Sequence, residues 1–251
     1  PKVGHIFGLT GFAFKNEKLL MKVSGCCFSI VFDYLIKAMG KTNLTIDNFG
    51  NLPIVDSMYD GEIIVRALLL TCLTSNYKDL WNKVFDISAV NNSWSIEDER
   101  IKVKFELLSK EWMPEYALRN DFERRNCLIE IDVLVSMALG LTINDLLSIY
   151  EIQFPVLKMY DQDTWYDSNG RIVFTNNRGL TNVGFERTEF EQIKNAKAGE
   201  KFYRTISDDT MPGGQVERTI EYVAPFDKCD RIQDYKQAWE FFSKKYGRSE
   251  E

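Results

Sequence analysis

Histidine is almost missing from this chain: His5 is the only one among 251 residues. A lone imidazole with no second ligand makes a poor general base or metal site, and a terminal or packed residue is the simpler account. The cysteines Cys26, Cys27, Cys72, Cys127 and Cys229 form no Cys-x-x-Cys pair. A structural zinc site takes about four Cys or His ligands at close spacing, so no metal is expected. Their odd number excludes a closed disulfide framework, and the thiols read as reduced residues of a cytoplasmic protein. No apolar run approaches the roughly 20 residues that span a bilayer; the longest, at 65–70, is interrupted by Arg66. No Gly-rich loop follows an apolar strand to cradle a cofactor, there is no Gly-x-x-x-x-Gly-Lys-Ser/Thr, and no Glu is followed two residues later by Lys. The acidic runs Glu97-Asp98-Glu99 and Asp208-Asp209 lie in turn-like sequence and read as solvated charge. No catalytic residue is assigned.

What remains is ordinary globular material, with 45% hydrophobic and 27% charged residues, enough for a packed core. The formal net charge of -6 argues against a freestanding, high-affinity nucleic-acid binder, although a local basic face is still allowed. Hydrophobic periodicity predicts an α+β chain with short strands at the N-terminus, a mainly helical middle and β-hairpins in the C-terminal third. Three regions are expected: 1–56, 57–157 and 158–251. Gly4, Gly8 and Gly11 among Phe7, Phe12 and Phe14 give the short-stranded start. Over 17–39 the apolar positions fit one or two helices stopped at Gly40. Tyr77, Leu80, Trp81, Val84 and Phe85 share a helix face, with Ser75 as its cap. Leu128, Ile131, Leu134, Val135 and Ala138 share another, stopped at Gly140. Thr142 and Asp145 have capping-box spacing, and the helix they open is expected to end at Pro155. Asn169-Gly170, between Trp165-Tyr166 and Ile172-Val173-Phe174, is a hairpin signal, and Pro212-Gly213-Gly214 marks a second turn. Between them Thr188 with Glu191 is expected to cap a short helix. Ile232, Tyr235, Trp239 and Phe242 face one way on a closing helix. The least ordered stretch is expected at 86–99.

Side chains suited to DNA fall in three places. Lys41, Thr42 and Asn43 follow a helix stop. Arg171, Asn176, Asn177 and Arg178 follow the Asn-Gly turn; Arg and Asn have bidentate reach to guanine and adenine edges, and a two-stranded ribbon is narrow enough for the major groove. Arg124 and Arg125 are expected on the polar side of a helix, against phosphates or, with Asp121 and Glu123, in a surface ion-pair network. The candidate DNA-binding set is therefore Lys41, Asn43, Arg124, Arg125, Arg171, Asn176, Asn177 and Arg178. Trp165 and Tyr166 either stack on bases or seal the hairpin against the body.

Longer stretches are more specific. Residues 128–157 carry Ile129-Glu130-Ile131-Asp132, Gly140-Leu141-Thr142 and Phe154-Pro155-Val156. They resemble the C-terminal part of large class I adenine-specific DNA methyltransferases of restriction–modification and phage-defence systems. Residues 163–180 look like that family's hairpin insertion, and 209–222 and 225–230 are similar to its closing segments. Residues 43–54 resemble the end of a target-recognition domain. The resemblance implies a parent enzyme that transfers methyl from S-adenosylmethionine to adenine N6 in a specific sequence of double-stranded DNA. Its partners would be an N-terminal catalytic domain of the same chain and other defence-system subunits, with no membrane. The chain departs from the family in one respect. All 6 prolines are isolated, so the Asn/Asp-Pro-Pro-aromatic loop that holds a flipped adenine is missing. S-adenosylmethionine is therefore expected in the parent and no cofactor in this chain, which begins in mid-pattern at Pro1-Lys2-Val3-Gly4 as if cut from something longer. The alternative is a protein-docking module of a bacterial defence complex with no direct DNA contact, a role that the acidic balance favours.

Overall fold

In the computed structural model, residues 11–40, 45–177, 184–209 and 213–248 are described. The chain is α+β. Helix α1 (Glu17–Cys27) starts at Asn16, whose side chain accepts from the Leu19 N–H at 3.0 Å. Ser29 caps α2 (Ile30–Ala38), and the two axes differ by 76°. Gly25 allows α1 to lie against α4 (Asp60–Thr71): a Cβ there would sit 2.5 Å from Cγ2 of Ile63. Helix α4 is buried from Glu62 to Leu70, on all sides, as an interior helix is. The centre of the body is α6 (Asp121–Ala138), which packs on α2, α4 and the closing helix α10 (Arg231–Tyr246). One hydrophobic cluster draws on residues from Met21 to Phe242. The short helices α3 (Ile46–Gly50), α5 (Lys78–Val84), α7 (Ile143–Ser148) and α8 (Pro155–Asp161) lie around it.

Strands β1 (Trp165–Tyr166), β2 (Ile172–Phe174) and β5 (Asp227–Lys228) form an antiparallel sheet in the order β2-β1-β5. Strands β3 (Lys201–Asp208) and β4 (Val216–Val223) pair antiparallel from Lys201↔Val223 to Asp208↔Val216 without a register shift. At about 3.4 Å per residue this ribbon is roughly 27 Å long. Its base packs with α9 (Arg187–Ile193) on a second small cluster of Val173, Phe174, Phe190, Tyr222, Ala224 and Phe226.

Several expected elements stand where the pattern put them. These include the helix stops at Gly40 and Gly140, both with positive φ, and the Thr142–Asp145 capping box of α7. Others differ. Residues 1–10 lie outside the described part, 11–16 carry no strand, and the first strand among the described residues is β1. Ser75 opens a 3-10 turn (Ser75–Tyr77) without capping it. The capping box of α9 is Glu186 with Glu189, two residues before the expected pair. The helix opened at Thr142 does end ahead of Pro155, after a π-turn (Ile149–Gln153) and a non-helical Phe154, but Pro155 then begins a further helix, α8, where its missing N–H costs nothing. The stretch 86–99 is ordered by the core beneath it. Trp94 is buried with its indole N–H on the Val103 carbonyl at 2.8 Å, and the Ser93 carbonyl and Ser95 N–H bond the buried side chains of Arg66 and Glu130. Its Asn, Ser and acidic residues suggested a loop because composition carries no sign of such long-range partners.

Candidate functional site

The acids of the Ile129-Glu130-Ile131-Asp132 motif are both buried, on different sides of α6. Glu130 accepts from Nε of Arg66 at 2.6 Å and from the Ser95 N–H at 2.5 Å. Arg66 also binds Glu62, one turn before it on α4, and gives a further bond to the Ser93 carbonyl at 3.1 Å. Its guanidinium lies among the rings of Trp94, Phe105 and Phe242. Lys245 and the Tyr246 hydroxyl reach Glu62 from the last turn of α10. Burial alone would push Glu62 up; Arg66 and Lys245 outweigh it and hold the carboxyl below its usual range.

Asp132 joins four elements. It accepts from the Ile30 N–H of α2 at 2.9 Å and from the Tyr235 hydroxyl of α10 at 2.7 Å. Arg231 lies 3.6 Å away and binds Asp161 of α8 at 2.5 Å. Complete burial pushes Asp132 up to about 6, with Arg231 and the hydrogen bonds opposing it. A carboxyl whose folded pKa exceeds its unfolded value holds its proton more tightly in the native state. Its contribution is therefore fully present below about pH 4 and fades as pH rises to about 6. Chemical denaturation of the wild type and Asp132→Asn across this window should show the wild type losing on the order of 2–3 kcal/mol relative to the variant. A difference that stays flat with pH would show that Asp132 is not the titrating group.

The backbone of the Asn-Gly turn is joined to the body of the chain. Asp167 is 0% exposed. Its Oδ1 accepts from the N–H groups of Asn169 (2.9 Å) and Arg171 (2.8 Å), and its Oδ2 from the Val223 N–H of β4 (3.1 Å). The Gly170 carbonyl accepts from the Phe122 N–H at 2.9 Å. Gly170 has φ +79°, and a Cβ there would lie 2.7 Å from Oδ1 of Asn120. Tyr166 packs edge-on against Phe122, and Trp165 against Phe190, so both rings seal the hairpin.

The described members of the expected DNA-binding set differ in their surroundings. Lys41, Asn43 and Arg178 lie outside the described residues. Arg171 and Asn176 are exposed, with Nη1 of Arg171 on the Glu221 carbonyl at 3.0 Å; Asn177 is half-buried. Arg124 and Arg125 do not form a polar helix face. Arg124 donates to the carbonyls of Leu70 and Leu118, and Arg125 is buried and bound to Asp234 at 2.6 Å. The reason is that α6 is enclosed by α4 and α10, so its charged positions meet protein instead of solvent.

Sequence reading missed the Arg66 network, although Arg66 interrupting an apolar run was its signal. It also missed the cations of the ribbon, Lys201, Arg204 and Arg218, which are bound to Glu221, Glu189 and Asp208 respectively. An open cleft of about 560 Å³ lies between α8 and the start of α10, lined by Tyr150, Lys158, Asp161, Lys228, Cys229 and Arg231. Its charges are already engaged: Lys158 with Glu151, Arg231 with Asp161, and Lys228 with the Gln162 carbonyl. Burial pushes the Cys229 thiol up to about 11, which keeps it protonated and unreactive near neutrality. Among the described residues every strand pair is antiparallel. Among the described residues no helix by itself is long and apolar enough to cross a membrane. Comparison of the chain with protein families, curated proteins and solved structures gave no match.

Proposed function

We propose that this chain is a non-catalytic recognition and scaffolding part of a site-specific DNA adenine-N6 methyltransferase of a restriction or phage-defence system. One observation carries the scaffolding role. Four acids of the family-like segments are bound by the chain's own groups: Glu130 by Arg66, Asp132 by Tyr235, Asp167 by three backbone N–H groups, and Asp230 as the cap of α10. Residues that hold helices and hairpins in fixed relation suit a part that braces neighbouring domains, and these four acids are committed to that hold. Methyl transfer, S-adenosylmethionine and the catalytic loop then belong to the parent. Duplex contact falls to the exposed Arg171 and Asn176, together with Lys41, Asn43 and Arg178 beyond the described residues.

Expression of the full-length protein is expected to place N6-methyladenine at one sequence motif in host DNA. Unmodified adenine throughout would refute the methyltransferase reading. The Arg171→Ala/Arg178→Ala double variant should bind duplex DNA more weakly, with a log–log salt slope shallower by about 1 for each phosphate that is no longer neutralised. An unchanged slope in a folded variant would remove this hairpin from the interface. A second reading, a docking module without DNA contact, is favoured by the ribbon, whose cations are each paired with an acid.

A further inference from the structure

We propose that the outer edge of β4 takes up an extended segment of a partner protein as a third strand of the ribbon. This edge is present whether or not the parent is a methyltransferase, and the direction of its backbone groups defines it. Val223 gives its N–H to Asp167 and its carbonyl to the Ser168 N–H, and the Glu221 carbonyl accepts from Arg171. These groups all point away from β3. Along a strand the backbone direction repeats every second residue, so Thr219 and Glu217 also point their N–H and carbonyl groups outward. The inner half of this edge is occupied by the turn at 167–171. The outer half continues the same row, and no described residue bonds to it.

Two of the usual guards against strand addition, a bulge and a proline, are absent here. The register runs unbroken through the ribbon with no bulge, and β4 contains no proline. A long, regular, exposed edge is a template for another strand. The flanking side chains define the occupant. Direct pairs lie on one face, so Tyr203, Glu221, Thr205, Thr219, Ser207 and Glu217 share the polar face, where Thr205 and Thr219 meet hydroxyl to hydroxyl at 3.0 Å. Lys201 and Tyr203 bind Glu221, while the exposed Glu217 carboxylate is bound by no described residue. The opposite face ends in Val216, which is 53% exposed and directly opposite Asp208, with the Ile206↔Arg218 pair next along the ribbon. A strand laid along this edge gains an ion pair by placing Lys or Arg next to Glu217, and apolar contact by placing a β-branched residue next to Val216. The occupant is therefore a peptide alternating basic and apolar residues. Duplex DNA is the poorer occupant, since the ribbon's cations are already paired and its unpaired charge is negative.

The test is selection of phage-displayed extended peptides on the full-length protein, followed by titration of the synthetic winners. Winners are expected to alternate Lys or Arg with apolar residues and to slow amide exchange at Thr219 and Glu217. Thr219→Pro removes an outward donor without touching the β3–β4 ladder and should weaken binding about tenfold or more; Thr219→Val keeps the N–H and should bind like the wild type. Glu217→Lys, which needs no backbone change, should lose the basic winners and select acidic ones. The proposal is overturned if no peptide is selected, if Thr219→Pro and Glu217→Lys both bind the winners at wild-type affinity, or if a short DNA duplex protects these same amides.

Discussion

Arg66→Met is expected to lower stability by about 3–5 kcal/mol, the cost of stripping one partner from a buried ion pair. The guanidinium is 0% exposed and is shared by Glu62 and Glu130, each 1% exposed. Methionine fills much of its volume and stays packed on Trp94, Phe105 and Phe242, so packing is a minor part of the loss. The larger part is two carboxylates left facing each other in the core. Glu62 keeps Lys245 and Tyr246, but Glu130 keeps only the Ser95 N–H among its described partners. The Ser93 carbonyl loses its donor as well, which loosens 86–99. Glu130→Gln added to Arg66→Met should recover a substantial part of the loss by removing the stranded charge. Urea midpoints of the wild type, the single variant and the double variant decide the matter. A single variant within about 1 kcal/mol of the wild type, the range of an exposed pair, would mean that the network is wet and not buried.

Such networks also explain how much of this chain was legible from its sequence. Helix boundaries with local chemistry could be read directly: Thr142 and Asp145 bond each other across one turn, and Gly40 and Gly140 take the positive φ that ends a helix. Both hairpins could be read for the same reason, since Asn169-Gly170 and Pro212-Gly213-Gly214 are turn-forming within a few residues. Burial of charge could not be read. Arg125 looks the same in sequence whether it faces solvent or Asp234, 109 positions away. Asp167 looks like any acid before an Asn-Gly turn until Val223, 56 positions on, comes to its second oxygen. The DNA-binding set was chosen on local chemistry alone, so it mixed exposed Arg171 and Asn176 with Arg124 and Arg125, which are held by the body.

Asp167 also provides the second large effect, because its two oxygens do separate work. Asp167→Ala leaves the N–H groups of Asn169, Arg171 and Val223 without their acceptor and is expected to cost about 3–5 kcal/mol, given roughly 1.5–3 for each bond to a charged group and incomplete additivity. Asp167→Asn divides the loss. The amide oxygen can still serve Asn169 and Arg171 on the Oδ1 side, whereas the amide nitrogen on the Oδ2 side meets the Val223 N–H donor to donor. The turn then survives while its link to β4 does not. Amide hydrogen exchange separates the two cases. In Asp167→Asn, Val223 should exchange fast while Asn169 and Arg171 stay slow; in Asp167→Ala all three should exchange fast. If the ribbon is held mainly by this carboxylate, protection at Ser168, whose N–H bonds the Val223 carbonyl at 2.9 Å, should fall together with Val223 in both variants. Slow exchange at Val223 in Asp167→Asn would instead assign the hold on the ribbon to the packing of Tyr222, Ala224 and Phe226, with Asp167 shaping only its own turn.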